Sequence, residues 1–191
     1  MKTTNPSLPR SRIETEVQHI RELLDRSQFQ PALAAAQALR REVPENRDVL
    51  LMVAVSQRCL GELPKALETL ARFEKVHPDC SRLFQERGHC YVAAGDPAAA
   101  IDAYLAAVNL NAALPASWKA LELLFRSAGQ IANAESAAAH VIKLASLPTP
   151  VLAAANMFAD GDVHAAEKLL CEFLRTHGDH IEAMRLLHKS A

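Results

Sequence analysis

A small residue followed five positions later by alanine recurs five times along this 191-residue chain: Ser27/Ala32, Gly61/Ala66, Gly95/Ala100, Gly129/Ala134 and Gly161/Ala166. The steps between them are 34, 34, 34 and 32 residues. A period of that length describes one supersecondary unit repeated along the chain, and each unit must stack on its neighbours to bury its apolar face. The residues around the small position read as two helices. Ahead of Gly95 stand Phe84, Gly88 and Tyr91, and behind it Ala100, Tyr104 and Ala107. Intervals of three and four residues put each trio on one helix face. Glycine between the helices supplies the positive φ that a helix C-terminus needs. Pro97 and Pro64 then stand in the first turn of the following helix, where a missing N–H costs nothing. The recurrent alanine has a packing role, because two helices of a hairpin approach closely only where the facing side chain is small.

Composition points the same way. Alanine occurs 35 times, and aromatic residues make up 5% of the chain although half of it is hydrophobic. A core built from alanine and leucine suits close-packed helices and excludes an all-β sandwich or barrel. The fold class is therefore all-α. With 21 basic and 22 acidic residues the net charge is −1, which makes neither nucleic acid nor an anionic membrane an expected partner. No stretch reaches eighteen apolar residues free of charge. Residues 1–12, with Pro6, Pro9 and three basic side chains, read as a disordered basic tail. Cys59, Cys80, Cys90 and Cys171 show neither zinc-site spacing nor the density of a disulfide scaffold, which suggests a reducing, cytoplasmic setting.

The third unit, LFQERGHCYVAAGDPAAAIDAYLAAVNL from Leu83 to Leu110, resembles a tetratricopeptide repeat (TPR). Phe84, Gly88, Tyr91, Gly95, Ala100, Tyr104 and Ala107 stand at that family's intervals, and the fourth unit repeats the pattern with Trp118, Leu121, Phe125, Gly129 and Ala134. Five units follow: 13–46, 47–80, 81–114, 115–146 and 147–180. The last is crowded by Pro148 and Pro150. Residues 181–191 begin a further helix, read either as a cap or as the first half of a truncated sixth repeat. The resemblance implies a right-handed superhelix whose first helices line a concave groove. It also implies a non-catalytic scaffold that holds a peptide segment of a partner protein. Val17, Arg21 and Leu24 of the first repeat are expected on the groove face, with Leu51, Met52 and Val55 of the second, Gln85, His89 and Val92 of the third, and Lys119, Leu123 and Arg126 of the fourth. Arg21, Lys119 and Arg126 are expected to attract acidic groups, and Met52 and Val55 to offer apolar contact. Val17, Leu51 and Val55 equally suit packing between repeats.

One TPR subclass clamps the acidic tail of heat-shock chaperones. At the matching positions stand Val17, Arg21, Met52, Arg82 and Glu86, of which only Arg82 carries the charge its position needs. Repeats three to five, through Leu147 to Leu187, also resemble the N-terminal repeats of bacterial proteins that join TPRs to a sulfotransferase domain. That likeness implies a non-catalytic arm of such an enzyme, to which no sulfotransferase residue is assigned. Self-association through the terminal helices is a third reading.

No catalytic, cofactor or metal site is expected. Four of the six glycines mark turns, leaving no phosphate-cradling loop. His177, Asp179, His180 and His188 have metal-ligand chemistry, but their spacing reads as an inter-helix turn with an N-cap at Asp179 or His180. Asp160 and Asp162 flank the turn at Gly161 and favour the helix start that follows it. Cys59, Cys90 and Cys171 read as small buried hydrophobes inside apolar helices.

Overall fold

A computed structural model describes residues 10–190, with side chains from residue 11 to residue 188. Among the described residues the secondary structure is helical, in eleven helices with no strand. They fall into two compact units that divide between Asp96 and Pro97, inside the third repeat. The N-terminal unit holds α1 (Arg10–Asp25), α2 (Phe29–Glu42), α3 (Arg47–Cys59), α4 (Leu63–Val76) and α5 (Ser81–Ala94). The C-terminal unit holds α6 (Pro97–Leu110), α7 (Pro115–Ser127), α8 (Ile131–Ala145), α9 (Thr149–Ala159), α10 (Val163–His177) and α11 (Ile181–Ser190). Residues 1–9 of the expected tail lie outside the described residues. Arg10, Ser11 and Arg12, assigned to that tail from sequence, instead form the first turn of α1. No breaker separates them from the amphipathic stripe, the Thr15 hydroxyl donates to the Ser11 carbonyl, and Arg12 reaches Glu42 of α2 at 3.7 Å.

The turns at the five small residues share one hydrogen-bond pattern. The residue after each donates its N–H to a carbonyl five positions back at 2.8–3.0 Å: Gln28 to Leu23, Glu62 to Gln57, Asp96 to Tyr91, Gln130 to Phe125 and Asp162 to Met157. This is the Schellman closure, which puts the small residue in the left-handed region. Ser27 does so at φ 57°, alone among non-glycine residues described. An L side chain there carries a steric cost that glycine avoids. Ser27→Gly is therefore expected to raise the stability of the N-terminal unit by about 0.5–1 kcal/mol, read as a higher urea midpoint at unchanged slope.

The alanines five places after those turns, Ala32, Ala66, Ala100, Ala134 and Ala166, are all fully buried. Within each unit, Ala32, Ala66, Ala134 and Ala166 lie on the second helices of packed hairpins: α1 on α2, α3 on α4, α7 on α8, and α9 on α10. In the N-terminal unit α3 also packs against α1, α2 and α5, so Val49, Val53 and Met52 are enclosed together with Ile20, Leu70, Phe73 and Leu83. In the C-terminal unit a smaller core joins α9, α10 and α11 through Val151, Leu170, Phe173 and Ala183. Asn111, in the α6–α7 connection, ties that corner to α9 by donating its side-chain amide to Asn156 Oδ1 at 2.8 Å.

Candidate peptide-binding surface

The first helices of the repeats present different surfaces in the two units. In the N-terminal unit, packing on both sides of α3 withdraws most of the expected groove residues from solvent. Met52, expected to offer apolar contact to a partner, is a core residue at 6% exposure, and Leu51 and Val17 are buried with it. Val55 is half-buried and packs against the same core. The sequence pattern on α3 is apolar on nearly every side, which fits a helix covered by several neighbours better than one with a free face.

Two cations on the first helices of this unit, Arg21 and Arg58, are answered by carboxylates. Arg21 of α1 faces Asp48 of α3 at 3.9 Å. Both side chains are about two-fifths exposed, so the pair adds little stability. It does offset the Arg21 charge. Arg58 of α3 and Glu86 of α5 form a tighter bridge, Nε to Oε2 at 2.8 Å. Burial works against the Arg58 charge, but the Glu86 carboxylate, through proximity and the hydrogen bond, holds the guanidinium above its ordinary value. His89 lies one turn from Glu86, with Nε2 4.0 Å from Oε1. Burial pushes the His89 imidazole below its ordinary value; Glu86 opposes this and Arg58 adds to it. The half-buried Gln85 and His89 therefore offer hydrogen bonding rather than positive charge. Burial also raises the Cys90 thiol to about 11, so Cys90 is an inert core residue. Cys59 is half-buried, whereas Cys171, expected to be buried, is exposed on α10. The period of α10 turns its core stripe to Ala166, Leu170 and Phe173, and Cys171 falls beside that stripe.

The C-terminal unit keeps an open stripe. Lys119, Leu123 and Arg126 stand four and three residues apart on α7 and are all exposed, Leu123 at 59%. Arg126 is held by Glu122, Nη2 to Oε1 at 3.1 Å, one turn back. Trp118 anchors the helix that carries the stripe. Its indole N–H donates to the Ala112 carbonyl at 2.9 Å, and its ring stacks on His140 of α8 at 3.9 Å. Sequence spacing found Trp118 but not His140, which lies 22 residues on in another helix.

The same unit contains a cavity of about 460 Å³ between the α6–α7 corner and α9 to α11, lined by Leu110, Asn111, Ala155, Phe158, Val163 and Leu186 among others. No sequence motif marked it, because its walls come from four separate segments. The residues of metal-ligand type around the α10–α11 turn take structural roles or face solvent. His177 stacks on Phe173 at 4.5 Å, His180 meets the same ring edge-on at 5.5 Å, and His188 is exposed. The Ala183 N–H donates to His180 Nδ1 at 3.3 Å, so His180 is the N-cap of α11. Among the described residues no three His, Cys, Asp or Glu side chains are placed to share a metal ion. No single described helix is long and apolar enough to cross a membrane.

One recurrence escaped the sequence reading. Phe73 and His77 end α4, and Phe173 and His177 end α10, at the same register 100 residues apart. In each pair the rings are in contact, edge-on at 5.6 Å in the first and stacked at 4.5 Å in the second.

Hairpins of this length, with Schellman turns and a recurrent buried alanine, define the class as a tetratricopeptide-type helical repeat, and comparison with solved structures agrees. MamA is similar over 88% of this chain and 90% of its own, at 20% identity and a TM-score of 0.56. The TPR protein TTC0263 of Thermus thermophilus is similar over 93% and 98%, at 16% identity and a TM-score of 0.62. PcrH, solved in complex with the chaperone binding region of PopD, is similar over 73% and 95%, at 19% identity and a TM-score of 0.51. These likenesses show the TPR fold. The resemblance of repeats three to five to sulfotransferase-linked repeats is not among the things they show. No protein-family model matches the chain, and no curated protein matches it in sequence.

Proposed function

We propose that this chain is a non-catalytic scaffold that binds a peptide segment of a partner protein, and that α7 carries the principal contact. The observation behind this reading is the exposed stripe of Lys119, Leu123 and Arg126. A leucine left 59% exposed between two cations on a helix anchored by Trp118 suits an apolar side chain flanked by a carboxylate. Similar folds bind protein segments: PcrH is solved with a region of PopD, and Naa15/Naa10 is solved bound to HypK-THB. Lys119 supplies the more available charge, since Glu122 already answers Arg126.

Selecting peptides from a random displayed library on the wild-type chain tests the reading. Enriched sequences are expected to place Asp or Glu beside a bulky apolar residue. Lys119→Glu combined with Leu123→Asp is expected to weaken them at least about tenfold while leaving the melting temperature nearly unchanged, because both side chains are exposed. Equal affinity of the wild type and the double variant would remove α7 from the site.

A further inference from the structure

The start of α11 is held by an imidazole. The His180 carbonyl accepts the Met184 N–H at 3.0 Å, and His180 Nδ1 accepts the Ala183 N–H at 3.3 Å. His180 is thus the N-cap in backbone and side chain alike. Among the starts of α2 to α5 and α7 to α10 only α3 has a side-chain cap, supplied by Asn46 to the Val49 N–H at 3.2 Å. An asparagine amide keeps its acceptor at every ordinary pH, whereas an imidazole nitrogen accepts only while it carries no proton. Protonation at Nδ1 turns the acceptor into a donor facing another donor. It also places a positive charge at the positive end of the helix dipole.

The rest of α11 depends on that start. The helix is held by its cap and by tertiary packing. Ala183 is fully buried, and Leu186 and Leu187 lean on the core of α9 and α10. Leu186 also forms part of the cavity wall. We propose that α11 is a pH-released strap: protonation of His180 uncaps it, loosens it from α9 and α10, and widens the pocket that Leu186 helps to line.

α11 packs against α9 and α10, and charged and titratable groups of all three elements lie around this corner. No residue of α9 is charged, and Asp160 follows its last turn. α10 brings His177, whose ring lies on the same Phe173, and Arg175 in the same last turn. On the α11 side, Asp179 precedes the cap, and Glu182 is engaged by Arg185 at 3.2 Å. The His180 ring also meets Phe173 of α10 in a T-shaped contact at 5.5 Å.

Amide hydrogen exchange of the full chain at about pH 8 and about pH 5, either side of the ordinary imidazole titration and corrected for intrinsic rates, tests the strap. Protection at Ala183 to Leu187 is expected to fall roughly two- to thirty-fold at the lower pH, the range for losing one N-cap bond, while Val49 holds steady. His180→Asn keeps an acceptor that does not titrate and is expected to abolish the pH dependence; His180→Asp serves where the asparagine variant leaves α11 unformed. His177→Gln is expected to retain the fall. Unchanged wild-type protection, an equal fall in the non-titrating variant, or loss of the effect in His177→Gln would each overturn the proposal.

Discussion

Truncating Phe73 to alanine is expected to cost the N-terminal unit about 3–5 kcal/mol, the largest effect of any single change considered for this chain. Its ring is fully buried on α4 in one core with Ile20, Val49, Val53, Leu70 and Leu83, residues drawn from α1, α3, α4 and α5. Removing it deletes the transfer free energy of the ring and leaves a cavity that helices fixed by Schellman turns close only in part. The edge-on contact with His77, whose Nε2 lies 2.7 Å from the Glu45 carbonyl, is lost as well. The measurement is urea unfolding followed by helical circular dichroism, with exchange at α1 to α5 locating the loss. Phe173→Ala is the counterpart in the C-terminal unit and is expected to loosen α9 to α11 selectively.

Ala66→Leu is expected to be the second largest, at about 1–3 kcal/mol, for the opposite reason. Ala66 is fully buried where α4 crosses α3, so the added isopropyl group finds no space and forces the helices apart. Ala134, at the equivalent crossing of α7 and α8, is expected to respond alike. Ala71 lies on the same helix as Ala66 but is exposed, and Ala71→Leu is expected to stay within about 0.5 kcal/mol. Melting Ala66→Leu and Ala71→Leu side by side separates crossing geometry from helix propensity, since propensity is equally affected at both positions. If both variants matched the wild type, the alanine crossing would not be the tight contact of the repeat.

Of the candidate site, sequence spacing recovered the stripe on α7 and lost most of its companions on α1 and α3. Lys119, Leu123 and Arg126 were legible because α7 is amphipathic, with Ser117, Leu121 and Phe125 buried on its opposite side. Met52 is buried rather than groove-facing, and Leu51 takes the packing role its position equally suits, because α3 is apolar almost all round and periodicity cannot orient such a helix. The opposite error occurred at Cys171, where an apolar stretch was read as buried although the residue lies off the stripe. Arg21 was expected to face a partner, yet Asp48, 27 residues later in the next repeat, comes within 3.9 Å of it.

Local chemistry alone settled the period, the helix pairs, the turn at Gly61, Gly95, Gly129, Gly161 and the strained Ser27, and the alanine crossing, since each depends on backbone preference and spacing within about twenty residues. Stacking between repeats settled exposure where a helix is apolar on several sides, as α3 is. Whether an apolar first helix lines a groove or fills a core, and whether Arg21 is free or paired with Asp48, follow from contacts between distant segments. Those contacts leave no mark in a 34-residue register, because neighbouring repeats share the same spacing while burying different faces.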